Sequence, residues 1–110
     1  MGESIVALEQ LRIDAERELT RNILPFYFKH AVDKHYCGFY GRIDNDNRIH
    51  HTAPKGLVQI SRIMWTYSRA YQNLRSDGYL AVADHTAKFL LDHFWDEDAG
   101  GMYWMVDFQG

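Results

Sequence analysis

Apolar residues at Ile5, Leu8, Leu11, Ala15, Leu19 and Ile23 recur every three or four positions, with Glu9, Arg12, Glu16, Arg17 and Arg21 between them. That period predicts an amphipathic helix with a solvated, charged outer face. Ser4 is placed to cap it. Pro25 has no N–H to donate and predicts a kink or a restart before the aromatic segment Phe26-Tyr27-Phe28 runs on toward Val32. A second helix is expected from about Gly56 to Leu74, entered through Pro54-Lys55-Gly56, with Leu57, Ile60, Met64, Tyr67, Tyr71 and Leu74 as its core stripe. Ser76-Asp77-Gly78 reads as a tight turn. A third helix from about Tyr79 to Phe94 presents Leu80, Ala83, Ala87, Leu90, Leu91 and Phe94 along one face. So short a connection predicts an antiparallel helical hairpin.

The second helix carries a further pattern. At about 100° per residue, Arg62 falls opposite the core stripe, and Val58, Trp65, Thr66 and Arg69 lie around it. A helix with a Val and a Trp on its outer face is expected to be covered on two sides.

Between and after these helices the chain repeats itself. Tyr36-Cys37-Gly38-Phe39-Tyr40-Gly41-Arg42-Ile43-Asp44 aligns with Ala99-Gly100-Gly101-Met102-Tyr103-Trp104-Met105-Val106-Asp107 at an offset of 63 residues. Each copy follows a helical pattern ending in aromatics, the first after Phe26-Tyr27-Phe28 and the second after Phe94-Trp95. A helix followed by a glycine-aromatic loop, met twice, is the mark of a repeat architecture. The polar tract Asp44-Asn45-Asp46-Asn47-Arg48 reads as turn, with a short hairpin over residues 39–43 and a small strand over residues 102–107.

With 110 residues, 46% of them hydrophobic and 15% aromatic, the chain can build a core. The aromatic content suits a packed interior and equally a sugar pocket. The net charge of −3 and the lack of a basic stripe argue against nucleic acid as a partner. No run approaches the length of a membrane span, so no membrane partner is expected. Met1-Gly2-Glu3-Ser4 has no basic stretch leading into an apolar one, and Cys37 stands alone, so a cytoplasmic setting is the expectation.

Candidate chemistry is sparse. Neighbours in a regular conformation diverge, so His50-His51 is not expected to hold a metal, and no other metal or cofactor site is foreseen. Asp84-His85 and Asp92-His93 do not face each other along a helix and are expected to be solvated or at helix ends. Cys37 has no evident activating partner. Tyr40, Tyr103 and Trp104 are expected to anchor the glycine loops on helix ends. The loops follow helices and do not open from a strand into a helix, so they do not read as phosphate cradles.

The stretches Gly38-Phe39-Tyr40-Gly41-Arg42-Ile43, Ala53-Pro54-Lys55-Gly56, Ser61-Arg62-Ile63-Met64-Trp65-Thr66-Tyr67-Ser68 with Ala70-Tyr71, and His93-Phe94-Trp95-Asp96 through Gly100-Gly101-Met102-Tyr103-Trp104-Met105-Val106-Asp107 stand in the order and at the intervals of one family. In these residues the chain resembles the N-terminal part of the N-acylglucosamine 2-epimerase and cellobiose 2-epimerase family. The resemblance implies an all-α chain, the N-terminal part of an (α/α)6 barrel, with residues 1–110 supplying fewer than two of six helical hairpins. The repeat agrees: six units of 63 residues would give roughly 380.

Similar enzymes invert C2 of an aldose, or interconvert an aldose with its ketose, through an enediolate. One histidine removes the C2 proton and a second returns a proton to the opposite face. The resemblance implies that Arg62 stabilises the oxyanion from a cavity whose other walls lie on later helices, and Trp65 is a candidate substrate-binding residue beside it. The family's histidine bases match none of the six histidines here, so residues 1–110 by themselves are expected to be inactive. The implied partner is a small-molecule sugar, a mono- or disaccharide such as cellobiose. Two other readings stay open: a fragment of an (α/α)-barrel glycoside hydrolase, which needs two carboxyl groups across the scissile bond, and a non-catalytic helical piece that self-associates through exposed helix faces.

Overall fold

The computed structural model describes residues 2–110, which form two compact units, one ending at His30 and the other Ala31–Gly110. The first is helical. Helix α1 (Gly2–Glu18) starts ahead of Ser4, which therefore lies within the helix and does not cap it. Arg12 reaches both Glu9 and Glu16, one turn away on either side, as the charge pattern implied. No residue of α1 is buried, so its apolar positions Ile5, Leu8 and Leu11 are exposed. Beyond α1 the chain does not restart: Glu18, Ile23, Leu24 and Tyr27 all keep right-handed helical backbone. Two wide π-helical turns, Leu19–Ile23 and Tyr27–Ala31, flank the short α2 (Leu24–Phe26) that contains Pro25. The Leu24 N–H reaches back five residues to the Leu19 carbonyl. Loosening the helix by one residue per turn accommodates the missing donor without breaking the rod.

The second unit is built on α3 (Leu57–Leu74) and α4 (Asp77–Phe89), an antiparallel hairpin as predicted. Arg75 in the left-handed conformation ends α3, its N–H bonding the Tyr71 carbonyl. Ser76 takes the N-cap position of α4, so Asp77 and Gly78 belong to the helix and not to a turn. A π-helical turn, Leu90–Phe94, completes α4. The core combines Ile60, Ile63, Tyr67 and Ala70 of α3 with Ala83, Thr86, Phe89, Leu90 and Phe94 of the second arm, and Phe39 from the loop. The buried stripe of α3 is thus turned toward Ile63 and Ala70, leaving Leu57, Met64, Tyr71 and Leu74 half-buried at its edges. On the second arm Leu80 and Leu91 are exposed, and Thr86 and Phe89, outside the expected stripe, are buried beside Ala83, Leu90 and Phe94.

The two glycine loops are the same structure. In the first, Asp33 Oδ1 accepts the N–H groups of His35 and Tyr36; in the second, Asp96 Oδ1 accepts those of Asp98 and Ala99. The Cys37 N–H bonds the Asp33 carbonyl, as the Gly100 N–H bonds that of Asp96. Val32 bridges to Phe39, and Trp95 to Met102. Left-handed backbone falls at Cys37 and Gly38 in one copy, and at Gly100 and Gly101 in the other. The agreement extends further: Asp44 and Asp107 each close the following turn through the N–H two residues on. Every one of these pairs keeps the 63-residue offset.

The expected hairpin over residues 39–43 is instead split into two isolated bridges, Val32 with Phe39 and Ile43 with Ile49. The strand expected over residues 102–107 is present in part. Its segment β2 (Met105–Val106) pairs antiparallel with β1 (Lys55–Gly56), directly at the entrance to α3.

Candidate functional site

Helix α3 positions the residues singled out in the sequence. Its one face is fixed against α4 by Ile60, Ile63, Tyr67 and Ala70, and this turns Val58, Arg62, Trp65 and Arg69 outward. Arg62 is exposed, Trp65 is 65% exposed and Val58 40%. The face expected to be covered on both sides is therefore open, because the described residues of this unit place nothing over it. The Thr66 hydroxyl donates to the Arg62 carbonyl, and the Arg69 guanidinium lies over the Trp65 ring at 6.0 Å. Among the described residues Arg62 has no carboxylate partner. Chemically this is a fixed cation beside an exposed aromatic plate, able to meet an oxygen that gains negative charge and an apolar ring face.

The entrance to α3 is where the sequence was least readable. Lys55 and Asp33 are both buried and their side chains meet at 2.8 Å. Lys55 Nζ also donates to the Cys37 carbonyl and lies 5.2 Å from the centre of the Phe89 ring. Burial opposes ionisation of Asp33, but the Lys55 ammonium and the N–H groups of Tyr36 and His35 outweigh it and hold its carboxyl below the usual range. The Leu57 N–H, an unpaired donor of the first helical turn, is satisfied by the Trp104 carbonyl. One repeat loop thus locks the start of α3 through Lys55, and the other caps it at Leu57, about one and a half turns before Arg62.

Several residues behave differently from expectation. His85 is not solvated: its Nε2 accepts the Gly38 N–H at 3.0 Å, pinning the first loop to α4. His93 does stand at a helix end as expected, in the last turn of the second arm, where it packs on Phe89 with ring centres 4.6 Å apart. Gly38 is required twice, by φ of 68° and because a Cβ there would press on the Phe89 ring. Tyr40 packs edge-on against His51. The side chains of Tyr103 and Trp104 are 45% and 71% exposed, and it is their backbone that meets helix ends, the Tyr103 N–H at the Phe94 carbonyl and the Trp104 carbonyl at the Leu57 N–H. His50 pairs with Asp44 at 3.0 Å, and its neighbour His51 turns to Tyr40. Among the described residues no group of His, Cys, Asp and Glu is arranged to hold a metal ion. Nor is any helix among them long and apolar enough to cross a membrane.

The comparisons with known proteins agree on one kinship. The model of the N-acylglucosamine 2-epimerase (GlcNAc 2-epimerase) family matches residues 38–110. A cellobiose 2-epimerase of Bacteroides fragilis is 39% identical over 93% of this chain, which spans 26% of that relative. The structure of a cellobiose 2-epimerase from Bacillus thermoamylovorans superposes with a TM-score of 0.88 at 36% identity, over 93% of this chain and 26% of its own. That of Spirochaeta thermophila gives 0.87 at 34%, over 94% and 25%. The chain accordingly spans about a quarter of the length of the relatives it matches. Its paired helices and glycine loops are those of the cellobiose 2-epimerase fold over that quarter, and the chain belongs to the N-acylglucosamine 2-epimerase family.

Proposed function

We propose that residues 1–110 form the opening part of a sugar 2-epimerase acting on a β-1,4-linked disaccharide such as cellobiose, with Arg62 stabilising the enediolate oxyanion. The observation that carries this reading is the state of Arg62. A guanidinium held on an ordered helix, without a carboxylate to neutralise it, is available to a substrate oxygen. Names of the relatives supply the substrate class. The guanidinium keeps its proton throughout, so it would offset charge without competing with the bases. A well-placed donor to a developing oxyanion is worth about 3–4 kcal/mol. Trp65 would offer its exposed face to a sugar ring beside it. The histidines that take and return the C2 proton are assigned to the part of the fold that these residues do not span. Residues 1–110 alone would bind weakly and turn nothing over.

The test is C2 exchange. Cellobiose is incubated in deuterated water with the complete polypeptide that contains these residues, and separately with residues 1–110. Deuterium at C2 and a mannose-ended product are expected from the first and not from the second. No exchange by the complete polypeptide would remove the proposed activity. Turnover by residues 1–110 would show that the proton-transfer groups are among the histidines already present.

A further inference from the structure

The first glycine loop is a socket with its occupant in place, and the second is the same socket. Asp33 uses Oδ1 for its own loop and turns Oδ2 to the Lys55 ammonium, while the Cys37 carbonyl accepts a second N–H from that ammonium at 2.7 Å. In the second loop Asp96 Oδ1 is engaged identically, and Gly100 has the left-handed backbone of Cys37. Among the described residues no ammonium or guanidinium reaches Asp96. Its surroundings are acidic: the charge of Asp96 first, then burial and the charges of Asp98 and Glu97, push the Tyr103 hydroxyl pKa upward.

We infer that the Asp96 carboxylate and the Gly100 carbonyl form a binding socket for a lysine ammonium. That ammonium is the one that opens the next helical hairpin, about one repeat period beyond Lys55. An acidic loop alone would say little, since carboxylates cluster on many surfaces. This loop differs because the same backbone, bond for bond, already holds a lysine once in this chain. Repeat arrays gain stability from interfaces between neighbours, and here the interface has a definite chemistry: each loop grips the lysine at the start of the following inner helix. The grip on Lys55 positions a helix, for Lys55 stands in β1 immediately before the first turn of α3.

The inference is independent of the proposed sugar chemistry. It is tested in the complete polypeptide containing these residues, by a double-mutant cycle read as thermal unfolding midpoints. A lysine is expected within roughly three residues of one period past Lys55. Asp96→Asn and the replacement of that lysine by Met should each lower the midpoint by several degrees, and the two together should lower it no further than the worse single change. The cycle Asp33→Asn with Lys55→Met sets the scale. Should Asp96→Asn fail to fold, Asp96→Glu, which displaces the charge by one methylene, takes its place. A sequence with no lysine in that window, or strictly additive effects, would overturn the socket. Because no turnover is measured, a failed cycle leaves the epimerase reading standing, and coupling without epimerase activity leaves the socket standing.

Discussion

Lys55 Nζ and Asp33 Oδ2 lie 2.8 Å apart with both side chains 1% exposed, joining the first glycine loop to the start of α3 across 22 residues. Such a pair fixes geometry more than it adds stability, because desolvating two charges consumes most of their attraction. Removing one partner is another matter. Lys55→Met leaves a buried carboxylate, and Asp33→Leu leaves a buried ammonium while also orphaning the N–H groups of His35 and Tyr36. Each should cost about 3–5 kcal/mol in unfolding free energy. The double change Asp33→Asn with Lys55→Met should be milder than Lys55→Met alone, since Asn keeps the loop acceptor and neither charge remains. Urea unfolding of the three variants in the complete polypeptide checks this, and a double variant less stable than either single would contradict it.

The same pair sets an acid limit. Burial works against ionisation of Asp33, yet Lys55 and two backbone donors prevail and depress its folded-state pKa. Its contribution to stability is therefore complete above the unfolded carboxyl pKa, about 3.9, and is lost as pH falls through the lower, folded value. Stability should accordingly fall on acidification below about pH 4. In Asp33→Asn that slope should be shallower, as followed by unfolding midpoints between pH 2 and 5, values chosen as roughly bracketing the carboxylate range. An unchanged slope would show that other carboxylates dominate.

Cys37 holds φ of 70° where the second copy has Gly100 at 77°. A side chain in this region costs about 1–2 kcal/mol locally, and glycine returns part of that through its freer unfolded state. Cys37→Gly keeps the carbonyl that Lys55 uses and removes an exposed thiol. The variant should be more stable by a few tenths to about 1 kcal/mol. A loss of stability would mean that the thiol packs usefully against the loop.

The helical hairpin, its antiparallel sense and the loop repeat were all legible in the sequence, because period and glycine placement are local signals. Arg62 and Trp65 were legible for a related reason, both lying off the core stripe of a strongly patterned helix. The hidden features are long-range. Lys55 and Asp33 are 22 residues apart in unrelated local contexts, and a lysine in a loop ordinarily reads as solvated. His85 likewise reads as solvated or at a helix end, whereas it accepts the Gly38 N–H, 47 residues away. The repeat held the missing clue. Asp33 and Asp96 occupy equivalent places before their glycines, and equivalent places in a repeat make equivalent bonds. The rotation of the α3 stripe toward Ile63 and Ala70 has a different origin: which flank of a helix is buried depends on the elements packed against it, which its own period does not reveal.

On the proposed reading, substitutions at Arg62 and Trp65 would separate chemistry from binding. Both are exposed, so neither Arg62→Ala nor Trp65→Ala should move the unfolding free energy by more than about 0.5 kcal/mol. Their kinetic effects should differ in kind. A guanidinium that meets charge developing only at the enediolate contributes chiefly to the transition state, so Arg62→Ala should lower kcat by roughly 10²–10³ with little change in KM. Lysine keeps the charge but not the planar fork, and Arg62→Lys should recover only part of the rate. Trp65 would contact the sugar in ground state and transition state alike, so Trp65→Ala should raise KM and leave kcat nearly unchanged. Steady-state kinetics on cellobiose with the complete polypeptide decides between these patterns. Should Arg62→Ala raise KM alone, the arginine is a binding group and the oxyanion must be stabilised elsewhere in the fold.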